Sequence, residues 1–393
     1  MIAYVFPTRD RPEEVRRTLF AIERLGSHAG IGGAEVVIAD NASAIALDVP
    51  GALRNGVPVR VLERETNEAA AARNACVRAA SERVEWIVML DDDSAPLDTG
   101  FIDALQAAAP DVAAVQAEIL LPRPEARTAG GAGGPLLEAE RHEVGGLPEV
   151  FIGCGVAIRR RVFEELGGYD AAFDYYAEEY DLAARMIGAG YRIGYDPRFR
   201  VLHRKVAANR DFGRIVRRLV RNNAWVQARY APASNVAGDV WETLTRYARI
   251  AAKERALGGY VAGVGDLVAT LADQRRTPLR REQYDRLTGL AHAREAVDRA
   301  LGEREFGRAA VVSPGKNVRH VVRALGERGV ACAVVRSGAE EVAERADVIV
   351  IGTLSPGPML DGAAEARMRY PAKRIILPWT GAAVRAAARG VAA

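Results

Sequence analysis

An apolar run that ends in three acidic residues is the feature of this sequence that most constrains its fold. Trp86 to Leu90 is short and made of large apolar side chains, which is typical of a buried strand. Asp91, Asp92 and Asp93 follow directly, and unpaired carboxylates are too costly to bury. Ligands in open α/β sheets bind beyond the carboxyl ends of the strands, where carboxylates suit Mg²⁺ or Mn²⁺. A charged loop or a helix cap is the alternative for this motif taken alone.

Apolar runs and amphipathic segments alternate through the first ninety residues. Buried strands are predicted at 2–6, 35–39, 59–62 and 86–90, and helices at 13–25 and 67–83. This alternation with short connections predicts an α/β fold with a doubly wound, mostly parallel sheet. Polar residues follow each strand, and carboxyl ends of parallel strands meet at one edge of a sheet. We therefore expect one crevice to collect Thr8, Arg9, Asp40, Asn41 and the acids Asp91 to Asp93.

The middle of the chain continues the α/β pattern. A helix is predicted at 99–108 and a strand at 112–120, followed by a Pro- and Gly-rich mobile loop at 122–148. A strand is predicted at 151–158, helices at 160–166 and from 178, and short strands at 191–193 and 201–203. Gly153 and Gly155 lie in the first of these strands and admit close approach of a ligand or of another backbone.

Residues from 211 to about 300 form a helical, Arg-rich segment. Its first helix has an apolar side and a basic side; the apolar side carries Phe212, Ile215, Val216, Leu219 and Val220. Such a helix either packs on the main domain, as amphipathic surface helices usually do, or touches a membrane surface or an anionic acceptor. The first reading is favoured because amphipathicity is the norm for packed helices.

The tail, from residue 306, has its own alternation of predicted strands and helices. Strands are predicted at 309–312, 331–335, 347–351 and 374–377, with helices between them, which indicates a small Rossmann-like domain. The turn Ser313-Pro314-Gly315-Lys316-Asn317 follows the first of these strands, where phosphate can bind, but it lacks the G-x-G-x-x-G fingerprint and is favoured as a plain loop. We therefore predict an α/β domain at 1–210, a helical segment at 211–304 and a small α/β domain at 305–393.

Composition narrows the classes of protein to be considered. The chain has 393 residues, about half of them apolar, which is enough for a sizeable core without disulfides. Its 54 basic and 51 acidic residues do not predict nucleic acid as a partner. Three scattered cysteines fit a reducing compartment, so a cytoplasmic protein is expected. The N-terminus looks like a strand, not a signal peptide, and no run of about 18 apolar residues predicts a transmembrane helix.

Three candidate functional groups lie outside the acidic run, and each has a structural alternative. His203 is a candidate third metal ligand, although a lone histidine is more often structural. Glu178, Glu179 and Asp181 crowd one helical turn, either to complement the helix dipole or to supply a general base. Arg73 has the geometry to bind phosphate but is by default a solvated helix residue.

Taken in order, these blocks resemble the family-2 glycosyltransferases with the GT-A fold, over roughly residues 1–230. The matching blocks are Phe6-Pro7-Thr8-Arg9, Val37-Ile38-Ala39-Asp40-Asn41-Ala42-Ser43, Asn67 through Ala72-Arg73-Asn74, Leu90-Asp91-Asp92-Asp93-Ser94, Gly153-Cys154-Gly155, Phe163-Glu164-Glu165-Leu166-Gly167-Gly168-Tyr169-Asp170, Glu178-Glu179-Tyr180-Asp181-Leu182 with Arg185, and His203. Two departures are visible: Ala69 stands where the family usually has Gly, and the acidic pair is Glu-Glu where it is usually Glu-Asp.

The resemblance implies roles for these residues. The sugar-nucleotide donor would be bound by Pro7, Thr8, Arg9, Asp40, Asn41, Asn67, Arg73, Asp91 and Asp92. The metal, Mg²⁺ or Mn²⁺, would be held by Asp91 and Asp93, with His203 as a ligand seen in part of the family. The general base would be Glu179, with Glu178 and Asp181 beside it, and the acceptor or the sugar would lie at Gly153, Cys154 and Gly155.

The implied activity is metal-dependent transfer of a sugar from a UDP-, GDP- or dTDP-sugar to an acceptor hydroxyl with inversion. The acceptor would be a glycan, a lipid-linked molecule or a small molecule, as in bacterial polysaccharide or glycoconjugate biosynthesis, with peripheral contact to the inner face of the membrane. A nucleotidyltransferase is one alternative, although such enzymes resemble chains with a Gly-rich loop after the first strand. A non-catalytic sugar-nucleotide binder is the other.

Overall fold

The computed structural model of the protein describes residues 1–122, 139–206, 211–335 and 340–379. Contacts divide the chain into two compact units. The first unit comprises 1–93, 158–191 and 205–284, and the second unit comprises 94–157, 192–204 and 285–393. The domain limits predicted at 210 and 304 stay predictions.

The strands of the described residues are β1 (Ile2–Thr8), β2 (Ala34–Asp40), β3 (Val59–Glu63), β4 (Trp86–Met89), β5 (Ser94–Pro96), β6 (Val112–Pro122), β7 (Ala139–His142), β8 (Val156–Arg159), β9 (Arg192–His203), β10 (Arg308–Val312), β11 (Ala331–Val334), β12 (Val348–Ile351) and β13 (Arg374–Ile376). The α-helices are α1 (Pro12–Arg24), α2 (Ala72–Ala79), α3 (Gly100–Gln106), α4 (Arg160–Glu165), α5 (Glu178–Gly188), α6 (Phe212–Tyr230), α7 (Val236–Lys253), α8 (Leu257–Thr270), α9 (Arg281–Thr288), α10 (Leu290–Glu303), α11 (Val318–Gly326), α12 (Glu340–Arg345) and α13 (Pro356–Arg369).

The first unit contains the strand order β3-β2-β1-β4, in which all neighbouring strands are parallel. β1, β2 and β4 are buried along their whole length, as expected of apolar strands covered on both faces. Register pairs Thr8 with Asp40 at the ends of β1 and β2, and the Leu90 N–H just beyond β4 donates to Val5 O at 2.9 Å. The polar residues that follow these three strands therefore start from one edge of the sheet.

One helix of the first unit is much shorter than its sequence predicts. The Ala-rich stretch 67–83 predicts a continuous helix, but Ala69 to Ala71 form a 3₁₀ turn and α2 covers only Ala72–Ala79. Ala69 has a φ of +54°, a left-handed conformation that favours glycine and that a regular helix cannot contain. High helix propensity did not locate the helix ends, because backbone conformation at single positions decides them.

The helical segment of the first unit packs around its own apolar core. Val216 and Val220 of α6 are buried with Tyr247 and Ala251 of α7 and with Ala256, which precedes α8. The apolar side predicted for α6 is therefore largely a packed side, although Phe212 at its start is exposed. This agrees with the favoured reading of α6 as a packed amphipathic helix.

The second unit contains the strand order β8-β6-β9-β5, with β7 paired to β6. β6 and β9 are parallel, whereas β5 on β9 and β7 on β6 are antiparallel. Three predictions need correction: the strand expected at 151–158 begins only at Val156, the two short strands near 191–203 are the ends of one strand, and part of the expected loop 122–148 is β7. Residues 123–138 of that loop lie outside the described residues.

The tail of the second unit forms a separate four-stranded sheet. Its strands are parallel in the order β11-β10-β12-β13, close to the four ranges that the sequence predicts. The predicted fold class is thus confirmed: α/β with a mostly parallel sheet, followed by a helical segment and a second parallel sheet. Within the described ranges, no helix has both the length and the apolar character needed to cross a membrane.

Candidate functional site

The acidic run that follows β4 is held by contacts within the first unit. Thr8 Oγ1 donates to Asp92 Oδ2 at 2.9 Å. The two terminal nitrogens of Arg11 donate to Asp92 Oδ1 at 2.6 Å and to Asp93 Oδ2 at 2.9 Å. The Val206 N–H also donates to Asp93 Oδ2 at 2.9 Å. Asp92 and Asp93 are thus buried carboxylates with hydrogen-bonded partners, as buried charges require.

Sequence reasoning missed Arg11. It lies in the loop Pro7-Thr8-Arg9-Asp10-Arg11-Pro12 just before α1, and a search for positive charges near the acidic run would have found it. Burial raises the pKa of Asp92 to about 7; the Arg11 charge opposes this shift, and the neighbouring Asp93 charge adds to it. The Arg11 guanidinium therefore bridges the two buried carboxylates.

Asp91 differs from its two neighbours because its side chain is 41% exposed. It accepts a hydrogen bond from Arg73 Nη2 at 2.5 Å, and the same nitrogen donates to Leu90 O at 2.7 Å. Arg73 itself is buried on α2. The default reading of Arg73 as a solvated helix residue is therefore wrong, since its guanidinium points at the acidic run. Whether it binds the donor stays a prediction.

The residues predicted to bind the nucleoside tie the loop after β2 to the third sequence block. Asn41 is fully buried; its Nδ2 donates to Ala69 O at 3.1 Å and its Oδ1 accepts from the Glu68 N–H at 3.2 Å. Asn67 Oδ1 accepts from the Ala69 N–H at 2.9 Å. Asp40 is buried at the end of β2, beside the end of β1. These hydrogen bonds hold Ala69 in its left-handed conformation.

Pro7 and Arg9 bracket Thr8 at the end of β1. Pro7 is a buried residue of the strand. The side chain of Arg9 is half exposed and lies 3.6 Å from a carboxylate oxygen of Asp10. Arg9 therefore has the side chain of this loop that is most accessible to a ligand.

Glu178 and Glu179 open α5 and differ in environment. Glu178 is only 6% exposed, and its Oε2 has no hydrogen-bond partner in the described structure. Burial, reinforced by the charge of Glu179, raises the pKa of Glu178 well above its ordinary value, which favours its neutral form. Glu179 is partly exposed. Two adjacent acids in different environments suit different roles, and the more accessible one is better placed to act as a base.

The loop that precedes Glu178 and Glu179 has a constrained backbone. Asp174, Tyr176 and Ala177 all have positive φ values, which costs free energy for residues other than glycine. The buried side-chain amide of Asn222 on α6 holds the loop, because its Nδ2 donates to the carbonyls of Phe173 (2.7 Å), Tyr175 (2.9 Å) and Tyr176 (2.7 Å). Sequence reasoning missed Asn222, which has no pattern that distinguishes it from any other polar helix residue.

Asp181 has a different set of contacts. It is 1% exposed and accepts hydrogen bonds from Arg185 of the same helix, from Arg229 Nη1 at 2.9 Å and from Tyr230 Oη at 2.6 Å. Arg229 and Tyr230 end α6, and neither was singled out from the sequence. The carboxylate therefore links α5 to α6, and its predicted catalytic role stays a prediction.

His203, Cys154 and the two glycines belong to the second unit. His203 Nδ1 lies 2.9 Å from Glu143 Oε2 and 3.6 Å from Cys154 Sγ. A carboxylate at Nδ1 orients a histidine so that Nε2 carries the lone pair, which is common for metal-binding histidines. Gly155 is required for packing, since a Cβ there would lie 2.9 Å from the Ile119 side chain. The close approach expected for Gly155 is thus to β6.

The metal ligands predicted from the sequence come from both units. Asp91 and Asp93 lie in the first unit, and His203 belongs to the second. Within the second unit, Ser94 lies opposite His203 in the register of β5 and β9. Carboxylate oxygens and an imidazole nitrogen form a donor set that Mn²⁺ accepts. This ligand set stays a prediction.

The turn at 313–317 in the small sheet uses its polar groups within the protein. The Gly315 N–H donates to Gly352 O at 2.8 Å, and Asn317 Nδ2 donates to Thr288 O at 2.8 Å. A Cβ at Gly315 would lie 2.8 Å from Thr353 Oγ1, so this glycine is needed for close packing. These contacts agree with the favoured reading of the turn as a plain loop.

Comparisons with known proteins identify the first part of the chain. Residues 4–167 match the family described as "Glycosyl transferase family 2". "O-antigen biosynthesis protein RfbC" of Myxococcus xanthus is 29% identical over 146 residues, which are 32% of this chain and 11% of that protein's length.

Two solved structures are similar at lower identity. GalNAc-T7 with UDP, GalNAc and Mn²⁺ has a TM-score of 0.44 and 15% identity, over 59% of this chain and 48% of its own. The mannosyltransferase PcManGT of Pyrobaculum calidifontis in complex with GDP-Man and Mn²⁺ has a TM-score of 0.43 and 18% identity, over 83% of this chain and 86% of its own. Residues 4–167 of this chain therefore match the family that the ordered blocks of the sequence resemble.

Proposed function

We propose that the protein transfers a sugar from a nucleoside-diphosphate sugar to an acceptor hydroxyl, with Mg²⁺ or Mn²⁺ and with inversion. One observation carries the proposal. The acidic run of the family match lies beyond the carboxyl end of β4, in hydrogen-bond contact with Thr8 from the end of β1 and with Arg73. Ligand sites of α/β sheets lie at this edge.

The donor would bind at the loops that follow β1, β2 and β4. Asp40, Asn41, Asn67 and Asp92, with Pro7, Thr8 and Arg9, form the proposed nucleoside site. Arg73 would sit beside the diphosphate, because a guanidinium matches phosphate oxygens in geometry and charge. The buried hydrogen bonds of Asn41 support this assignment, since they fix the shape of the loop before a ligand arrives.

The proposed metal ligands are Asp91, Asp93 and His203. When bound, the cation would neutralise charge on the departing nucleoside diphosphate. Asp91 has an exposed carboxylate, and three acidic residues follow one another at this edge of the sheet; both features fit a hard divalent cation. Glu143 at His203 Nδ1 supports Nε2 as the ligand atom.

Glu179 is the proposed general base. It would take the proton of the acceptor hydroxyl as that oxygen attacks the anomeric carbon, and a single displacement inverts the configuration there. The different environments of the two acids support this choice, because Glu178 is buried with a raised pKa and Glu179 is partly exposed. Gly153, Cys154 and Gly155 are the proposed contacts of the acceptor or the transferred sugar, and the acceptor class is a glycan, a lipid-linked molecule or a small molecule.

A donor screen tests the proposal. The melting temperature would be measured with UDP-, GDP- and dTDP-sugars, each with and without Mn²⁺, because a specific ligand stabilises by mass action. UDP-GalNAc and GDP-mannose come first, since the two structures above contain UDP with GalNAc and GDP-Man. We expect one nucleotide class to raise the melting temperature only with the metal present.

Product analysis then separates the proposed activity from its rivals. Sugar transfer releases a nucleoside diphosphate, whereas nucleotidyl transfer releases or consumes pyrophosphate. Pyrophosphate as the product, or donor binding without turnover across a panel of acceptors, would overturn the proposal.

A further inference from the structure

Helix α8 (Leu257–Thr270) packs with its small residues inward. A Cβ at Gly259 would lie 2.1 Å from Gly213 O, and a Cβ at Gly263 would lie 2.5 Å from Arg217 O. Both glycines therefore allow the backbones of α8 and α6 to approach closely. Leu267 of α8 is also buried, and Tyr260 and Val264 pack against the core that α6 and α7 form.

Four other large apolar residues, in α8 and directly after it, are exposed. Leu257, Val261, Val268 and Leu271 are spaced by four, seven and three residues, which places them on one helical face. Their exposed fractions are 55%, 68%, 74% and 40%. Single exposed apolar residues need no explanation, but four in one stripe do. We call these four residues the outer face of α8; nothing in the described part of the chain buries them.

The charge around the outer face is positive. Residues 246–281 contain eight Arg or Lys and three Asp or Glu. Arg249, Lys253 and Arg255 are exposed before α8, and Arg275 is exposed after it. Asp266, the one charged residue within α8, is ion-paired with Arg217 of α6 and so belongs to the inner side. The outer face is therefore an apolar stripe with basic residues near both ends.

We propose that the outer face of α8 docks on the surface of an anionic lipid bilayer, with the helix lying parallel to the membrane. An apolar face flanked by Lys and Arg is the composition of helices that bind this interface. A helix of 14 residues is about 21 Å long. Leu257, Val261, Val268 and Leu271 would enter the headgroup region, while Lys253, Arg255 and Arg275 would meet lipid phosphates.

A second copy of the chain fits this face less well. A symmetric dimer brings the same patch of both copies together. The basic residues near the ends of the stripe would then repel one another, and four side chains are few for the roughly 800 Å² per partner of a stable interface. The excess of positive charge favours the anionic bilayer as the occupant.

Vesicle co-sedimentation of the full chain tests the proposal independently of sugar transfer. The vesicles would contain phosphatidylcholine alone or with 30% phosphatidylglycerol, with the salt concentration varied. We expect binding to the anionic vesicles that weakens with salt, and at least a tenfold loss in the double variant Val261→Glu with Val268→Glu. The double variant Val261→Ser with Val268→Ser should lose less affinity for the anionic vesicles than the Glu variant. It keeps the test valid if the Glu variant folds poorly.

The matched control is Val342→Glu with Met368→Glu, because these exposed apolar residues lie on α12 and α13, and the change in charge is the same. It should bind as wild type does. Lys253→Gln with Arg275→Gln should reduce binding and flatten its dependence on salt. Equal vesicle binding by the α8 double variant and by the control variant would overturn the proposal. It would also be overturned if the wild-type chain is a dimer and the double variant Val261→Glu with Val268→Glu is a monomer.

Discussion

Arg11 is the residue that makes the acidic run tolerable in the folded chain. Its guanidinium bridges Asp92 and Asp93, whose side chains are nearly fully buried. Taking a carboxylate out of water costs several kcal/mol unless it is paired, so removal of the guanidinium should destabilise the folded chain. At the proposed metal site a divalent cation would meet the same acidic run, so Arg11 would affect both the stability without metal and the response to metal.

Arg11→Met should lower the free energy of unfolding by about 3 kcal/mol in the absence of metal, because breaking a buried ion pair leaves charges unpaired. It should also increase the rise in melting temperature that Mn²⁺ produces. Urea unfolding and thermal scans with and without Mn²⁺ measure both effects. Arg16→Met is the control: its ion pair with Glu13 is exposed, so we expect a change within about 0.5 kcal/mol. Similar losses in the two variants would contradict the bridging role.

The two adjacent glutamates should respond differently to the same substitution. Glu179→Gln should reduce the transfer rate by about 10³-fold and leave donor affinity unchanged, because it removes a proton acceptor and little else. Glu178→Gln should retain activity within about tenfold, since burial raises the pKa of Glu178 and favours the neutral carboxyl, which an amide can replace. Steady-state kinetics and donor calorimetry measure these effects. If Glu178→Gln is the inactive variant, the base has been assigned to the wrong residue.

At the scale of elements, the loop before α5 depends on a helix that is distant in the sequence. Asp174, Tyr176 and Ala177 adopt left-handed conformations that their local sequence does not favour. Asn222 of α6 compensates, because one side-chain amide donates to three carbonyls of this loop. The start of α5, and with it Glu178 and Glu179, is therefore held from α6.

Asn222→Ala should destabilise the protein by about 2 kcal/mol, since each buried hydrogen bond is worth about 1 kcal/mol and the amide has two N–H donors, which the three carbonyls share. Asn223→Ala is the matched control, because Asn223 Nδ2 makes its hydrogen bond within α6, to Leu219 O at 2.9 Å. We expect a loss near 1 kcal/mol for the control. Chemical denaturation measures both variants, and equal losses would show that Asn222 does not anchor the loop.

At the scale of the whole molecule, the small sheet is joined to the rest of the second unit by partly buried ion pairs. His142 of β7 lies 2.6 Å from Asp361 of α13 through Nδ1 and 3.1 Å from Glu118 of β6 through Nε2. Burial opposes the charge of His142, but the hydrogen bonds that it donates to Asp361 and Glu118 outweigh burial and raise its pKa to about 9. The attachment of α13 to β7 therefore depends on a protonated histidine.

This pKa predicts a specific dependence of stability on pH. The folded state holds the proton of His142 more tightly than the unfolded state, whose histidine has a pKa near 6.5. The stabilisation is fully present below pH 6.5 and is lost as the pH rises through 9. The loss should be about 1–3 kcal/mol, and His142→Gln should abolish it. Urea unfolding from pH 6 to 10 measures the effect; an unchanged decline in the variant would contradict it.

Most of the strands were open to prediction because parallel sheets have a strong sequence signature. Runs such as Val36 to Ala39 or Trp86 to Leu90 are apolar on both faces, and only buried strands of a covered sheet tolerate that pattern. The ordered polar blocks after these strands carry the resemblance to the family. The ends of the elements were less predictable. At Ala69, for example, a left-handed residue precedes the start of α2, although composition alone would extend the helix back to residue 67.

The sequence alone determined the class of fold, the edge of the sheet where polar groups meet, and the acids Asp91 to Asp93 with their family. These properties follow from periodicity and from residues adjacent in the chain. Only the tertiary structure decided that Arg11 compensates the acids, that Asn222 holds the loop before α5, and that α8 turns glycines inward and valines outward. Such contacts join residues far apart in the sequence, and no local pattern encodes which distant partner a side chain will meet.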